Sequence, residues 1–177
     1  MMNIYALIDY MPIAFVIIGL CMTWKTASAR WFFIFYLIIE ILGLAMTDIV
    51  LQWNTHFYIY CVFISLVFLL PVVYRKRLAI WLYSKTGYEY FNNVIQTHRF
   101  VPQEAGIICI ILLLCLVNFA TWIEVLLYKY SFLSTAPIKL FIRDNTVFLG
   151  KVMISVTMLS YASRAKFREK FIHDENC

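Results

Sequence analysis

The stretch Arg30–Tyr74, RWFFIFYLIIEILGLAMTDIVLQWNTHFYIYCVFISLVFLLPVVY, decides the fold. A bilayer core is crossed by about 20 apolar residues of helix rising ~1.5 Å each. Two such runs stand here, predicting spans at Trp31–Gln52 and His56–Tyr74. Only Trp53–Thr55 join them, so the two helices must be adjacent and antiparallel. The whole chain agrees in composition, with 63% hydrophobic and 14% charged residues and a mean hydropathy of +0.80. A soluble domain carries about a quarter charged residues, and a chain so depleted in charge has no polar coat for a core. The expected class is therefore an all-α integral membrane protein, with residues 1–177 forming one helical membrane domain.

Outward from this stretch, further spans are expected at Ile4–Trp24, Gly106–Leu127 and Thr146–Ala162. The first lacks a basic leader and a small-residue cleavage site, so it is read as a retained helix rather than a signal peptide. The last is the weakest, because Lys151 lies inside it and Arg143 and Asp144 stand just before it. Without it the count is four and the C-terminus changes sides. Charge favours five. Lys25 and Arg30, the connector residues Arg75, Lys76, Arg77, Lys85 and Arg99, and the tail residues Arg164, Lys166, Arg168 and Lys170 then share one side. Lys129, Lys139, Arg143 and Lys151 are left on or near the other. The positive-inside tendency puts the N-terminus outside and the C-terminus in the cytoplasm. Tyr5, Trp24, Trp31, Trp53, Tyr74, Tyr128 and Tyr130 fall where interfacial rings are expected.

The connector after the third span carries Leu78, Trp81 and Leu82, then Phe91, Val94 and Ile95, at helical spacing. It predicts an amphipathic cytoplasmic segment over 78–103 or an extension of the third span, with Gly87 as a break. The outer connector contains Pro137 and is apolar enough to lie on the membrane. Residues 163–177 form a basic tail. The net charge of +5 is thus assigned to anchoring and orientation, and direct nucleic-acid binding is not expected. Cys21, Cys61, Cys109 and Cys115 lie in apolar spans as packing thiols. No spacing suits zinc or a disulfide framework, and Cys177 as the last residue cannot begin a prenylation box.

Ionisable groups inside a membrane are costly, so each one needs a reason. Glu40 lies about 14 Å along its span at ~1.5 Å per residue, close to the midplane. Thr47 shares its face, with Gly43 between them permitting close helix approach, and Asn118 and Thr121 are candidate partners. An interhelical or intersubunit hydrogen bond competes here with a proton or ion pathway. Asp9, Asp48, Asn54, His56, Glu124 and Lys151 fall in the outer half. They predict an outward-facing polar cluster in which Glu124 or Asp48 pairs with Lys151 or Arg143. Structural ion pairing competes there with a ligand or ion site. No H-E-x-x-H, G-x-S-x-G or glycine-rich phosphate loop occurs, so no catalytic residue, metal or cofactor is assigned.

The run EILG...WNTHFYIYCVFISL, within residues 30–80, resembles the second and third spans of small multi-spanning membrane proteins of Bacteroidetes-type genomes. It is similar, more narrowly, to the membrane accessory proteins encoded beside type VI CRISPR effectors. The resemblance implies a non-enzymatic, oligomeric and channel-forming membrane effector in anti-phage defence. Its expected partners are the lipid bilayer, further copies of the chain, and a cytoplasmic effector protein met through the basic loop and tail. Two alternatives stay open: a sensor or transporter-like protein binding a small ligand or ion at the outer cluster, and a lipid-active intramembrane enzyme.

Overall fold

Each apolar run folds as a helix in the computed structural model, which describes residues 4–53, 55–97 and 100–175, with side chains except at 4–10, 48 and 166–175. No strand occurs among the described residues. The elements are α1 (Ile4–Met22), α2 (Ala27–Leu51), α3 (Phe57–Val73), α4 (Arg75–Thr86), α5 (Glu89–Gln96) and α6 (Pro102–Lys129). A π-helical segment, Ile138–Arg143, then leads directly into α7 (Asp144–Glu175).

Ala27–Thr47, Pro102–Lys129 and Ile138–Ala165 are each long and apolar enough to cross a membrane. A fourth crossing is reached if α3 and α4, bent by 71° at Tyr74, are counted as one span. Met11–Met22 in α1 is a shorter apolar stretch. The chain is an integral membrane protein by these helices. The expected last span extends backwards, since the outer connector is already helical from Ile138. α6 likewise starts at Pro102 rather than Gly106, because proline suits a first helical turn, where its missing N–H costs nothing.

The helices close a ring in which α1 packs on α2 and α7, α3 on α2 and α6, and α6 on α7. One end of this ring gathers the last turn of α1 and the first turns of α2 and α6. Its core interleaves Phe32, Phe33 and Tyr36 of α2 with Phe68 and Val72 of α3 and with Met158 and Tyr161 of α7. Aromatic rings meet there in favourable tilted and edge-on geometry, with Phe32 5.7 Å from Phe68 and 5.3 Å from Tyr161 between centroids. Close approach of α1 to α2 depends on Gly19, where an added Cβ would stand 2.5 Å from the Phe33 ring.

Trp31 departs from its expected interfacial place. It is 3% exposed, and its indole Nε1–H donates to the Pro71 carbonyl at 3.0 Å. The bend after Val73 leaves that carbonyl at a helix end, where it lacks the partner a continuing helix would supply. Trp31 supplies one from α2. Beyond the bend, α4 runs to Gly87, whose φ of +68° closes the helix in the left-handed conformation that glycine adopts without strain. α5 then folds back, and Val94 packs with Trp31 and Ala79 in a second small core. The break expected at Gly87 is therefore present, and the connector is a helical hairpin held against the start of α2.

Candidate functional site: a buried clamp, a helix cap and a half-buried carboxyl

At the end of the ring carrying the α4–α5 hairpin, three elements converge on one carboxylate. Glu104, in the first turn of α6, and Arg75, at the elbow of α3 and α4, are both 0% exposed. The guanidinium donates from Nη1 to Glu104 Oε1 at 2.8 Å and from Nη2 to Oε2 at 2.9 Å. The Tyr161 hydroxyl of α7 donates to Oε1 at 2.7 Å. Arg75 Nη1 also reaches the Ser28 carbonyl of α2 at 3.4 Å. Bidentate arginine–carboxylate geometry with further hydrogen bonds is the arrangement in which attraction offsets the desolvation of two buried charges. Three helices and an elbow are thereby tied at one point. Sequence reasoning missed this clamp, taking Arg75 for a solvated connector charge and beginning the fourth span after Glu104.

At the opposite end, Glu124 of α6 is 5% exposed. Its two oxygens accept the backbone N–H groups of Ile138 and Lys139, each at 2.8 Å. These are amides at the start of the π-helical segment, which have no intrahelical acceptor, so the carboxylate caps that segment and favours its positive dipole end. The expected pairing of Glu124 with Lys151 or Arg143 is replaced by this cap. Arg143 instead makes an ion pair with Asp144 at 2.8 Å and donates from Nε to Asn118 Oδ1 at 3.4 Å. Its guanidinium lies 5.3 Å from the Phe57 ring and 5.1 Å from the Tyr58 ring at the start of α3, within cation–π range.

The remaining expected residues with described side chains lie on α2, α6 and α7 and at the start of α3. Lys151 is half-buried on α7 and, like Arg143, acts electrostatically on Cys61 of α3. His56 is exposed at the start of α3. Asn54 and the side chains of Asp9 and Asp48 lie outside the described residues. Thr121 donates to the Val117 carbonyl at 2.8 Å and Asn118 to the Leu114 carbonyl at 2.9 Å, both within α6. Thr47 likewise donates to the Gly43 carbonyl at 2.8 Å within α2. α2 and α6 do not neighbour one another in the ring. Asn118 and Thr121 therefore belong to the C-terminal half of α6, and Glu40 is separate from them on α2.

Glu40 marks the level at which α2 changes character. One turn before it, Tyr36 is buried, its ring 5.0 Å from Phe68, and Glu40 acts electrostatically on its hydroxyl. Around and beyond it, Ile38, Ile41, Leu42, Leu44, Met46 and Ile49 are all exposed, whereas Val50 is buried. Glu40, Gly43 and Thr47 share the remaining face, and a Cβ added at Gly43 would meet nothing within 4 Å. No protein-family model, curated protein or solved structure matches the chain.

Proposed function

We propose that this chain acts through assembly with copies of itself, as a non-enzymatic membrane effector whose contact surface is the outer half of α2. In this reading α1, α2, α3, α6 and α7 all cross the bilayer, with the N-terminus outside and the C-terminus in the cytoplasm. The closed ring of helix pairings supports five crossings, because α1 fills a place in it between α2 and α7. The α4–α5 hairpin is then an interfacial element on the cytoplasmic side. The resemblance of residues 30–80 to accessory proteins of type VI CRISPR loci extends the proposal to a pore-forming role in anti-phage defence.

One observation carries the assembly reading. A half-buried carboxyl group sits beside an open notch at Gly43, on a helix half whose apolar side chains are exposed over more than half its circumference at 3.6 residues per turn. Small residues on a membrane helix let a second helix approach closely, and the apolar side chains around the notch would pack against it. The same α2 face of a neighbouring copy fits that notch. Purified protein in detergent should therefore run as a discrete oligomer and make liposomes leak ions. Gly43→Ile, which fills the notch, and Glu40→Leu, which removes the carboxyl, should each shift the particle mass towards the monomer. A wild-type monomer that leaves liposomes tight sinks the proposal.

A further inference from the structure

The elbow between α3 and α4 carries a feature that assembly through α2 does not use. An apolar groove of about 350 Å³ runs along α3, lined chiefly by Phe63, Leu66, Val67, Leu70, Val73 and Tyr74. These residues recur at helical spacing on one face, and Phe63, Leu66, Leu70 and Val73 are exposed. From Phe63 to Tyr74 the groove extends about 16 Å at ~1.5 Å per residue, close to half of the ~30 Å hydrocarbon core, which is one leaflet. It ends where α4 turns away by 71°.

Charge changes abruptly at that end. Arg77 stands with its guanidinium 5.7 Å from the ring of Tyr74, the last residue of the groove. Lys76 and Arg77 are both exposed, unlike Arg75, which is committed to Glu104. Farther along α4, Ile80 and Trp81 are exposed between Arg77 and Lys85, the mixture of apolar, indole and basic side chains that suits a headgroup layer.

We infer that the elbow is a seat for one anionic glycerophospholipid, with an acyl chain along the α3 groove and the headgroup phosphate on Arg77 and Lys76. The groove's length of one leaflet and its basic end match the two parts of such a lipid at their natural spacing. A second protein copy would match the apolar part but not the two exposed cations. The inference rests on membrane insertion alone, and it holds on whichever side of the bilayer the elbow lies.

The test is native mass spectrometry of the detergent-purified full chain, loaded with phosphatidylglycerol or phosphatidylcholine of identical chains. A basic residue near an anionic headgroup is worth roughly fivefold in affinity, so phosphatidylglycerol should be retained at least about fivefold better. Lys76→Gln with Arg77→Gln should abolish that preference, whereas Arg77→Lys should keep most of it. Leu70→Trp, which fills the groove, should lower retention of both lipids without altering the particle mass. Glycerol 1-phosphate at equal concentration should displace neither. Equal retention of the two lipids by the wild type, an unchanged preference in the double glutamine variant, or displacement by glycerol 1-phosphate would overturn the inference. A change of particle mass in Leu70→Trp would assign the groove to a second copy instead, whereas Gly43→Ile and Glu40→Leu report on the α2 contact separately.

Discussion

Replacing Glu104 by alanine removes the acceptor of three hydrogen bonds from a site where both charges are out of contact with water. Arg75 is 0% exposed, and Glu104 takes both guanidinium Nη groups at 2.8 and 2.9 Å and the Tyr161 hydroxyl at 2.7 Å. A buried pair broken from one side costs about 3–5 kcal/mol, chiefly because the remaining charge loses its counter-charge without regaining water. Glu104→Ala and Arg75→Met should each fall in this range. Tyr161→Phe removes one hydrogen bond to a charged acceptor and should cost about 1.5–3 kcal/mol. The double variant Arg75→Met with Glu104→Leu buries no charge at all, and such replacements are often neutral or stabilising.

The assay is equilibrium unfolding in mixed detergent and dodecyl sulfate micelles, followed by tryptophan fluorescence, with wild type, Arg75→Met, Glu104→Leu and the double variant treated as a double-mutant cycle. Trp31 is a local reporter, since its indole donates to Pro71, four residues before Arg75. The expected outcome is two strongly destabilised single variants and a double variant near wild type, giving a coupling energy of several kcal/mol. If Glu104→Ala unfolds within 1 kcal/mol of wild type, or if the double variant loses as much as the two singles together, Arg75 and Glu104 do not form a clamp.

Two further changes test the packing and the chain reversal outside the bundle. Gly19→Ala places a methyl group 2.5 Å from the ring of Phe33, which is 0% exposed, and should destabilise by about 1–3 kcal/mol as an overpacked core contact; the same unfolding titration reads it, and a cost below 0.5 kcal/mol would show that α1 and α2 separate freely there. Ser131 ends α6 with a φ of +62°, while its N–H donates to Tyr128 O at 3.1 Å and the Phe132 N–H to Leu127 O at 2.9 Å. This is the pairing of a helix closed by a left-handed residue, a place glycine fills without strain. Ser131→Gly should therefore stabilise by about 1 kcal/mol, measurable as a higher unfolding midpoint.

The helices were legible in the sequence because a bilayer sets their length. The turn at Trp53–Thr55 and the end of α3 at Tyr74 follow from apolar run length alone. Which faces are buried was not legible, and Trp31 shows why. In water an apolar stripe marks the core, but a membrane helix is apolar on every side and lipid is as apolar as protein, so an indole at a span end reads as interfacial whether it faces headgroups or Pro71. The clamp was hidden differently. Arg75 and Glu104 are 29 residues apart, and a basic residue after a span is the expected orientation signal. Pro102 two positions before Glu104 was the available clue, since proline followed by an acidic residue marks a helix start. It would have brought Glu104 into α6, though not into contact with Arg75. Glu124 stood in the sequence as a member of a polar cluster with ion-pair partners, but its partners are backbone amides, which no residue type in the sequence announces.

The two halves of α2 follow from these same contacts. Its first half is fixed from every side, by Phe32, Phe33 and Tyr36 in the ring core, by the Ser28 carbonyl on the clamp, and by Trp31 on the elbow. Beyond Glu40 the large apolar side chains turn outwards, and Gly43 faces open space. A helix anchored so firmly at one end can change its packing at the other with less disturbance of the bundle, because beyond Glu40 only Val50 is buried among its described side chains. Glu40 sits at that junction, one turn from a tyrosine whose ring belongs to the fixed half. A new partner for the carboxyl beyond the junction would therefore reach Phe68 and the aromatic core through Tyr36. That linkage predicts a specific difference between two replacements: Tyr36→Phe should leave an assembly built on Gly43 intact while uncoupling it from the core. Glu40→Leu should remove the assembly itself, and equal effects of both on particle mass would place the contact in the core rather than on the outer face.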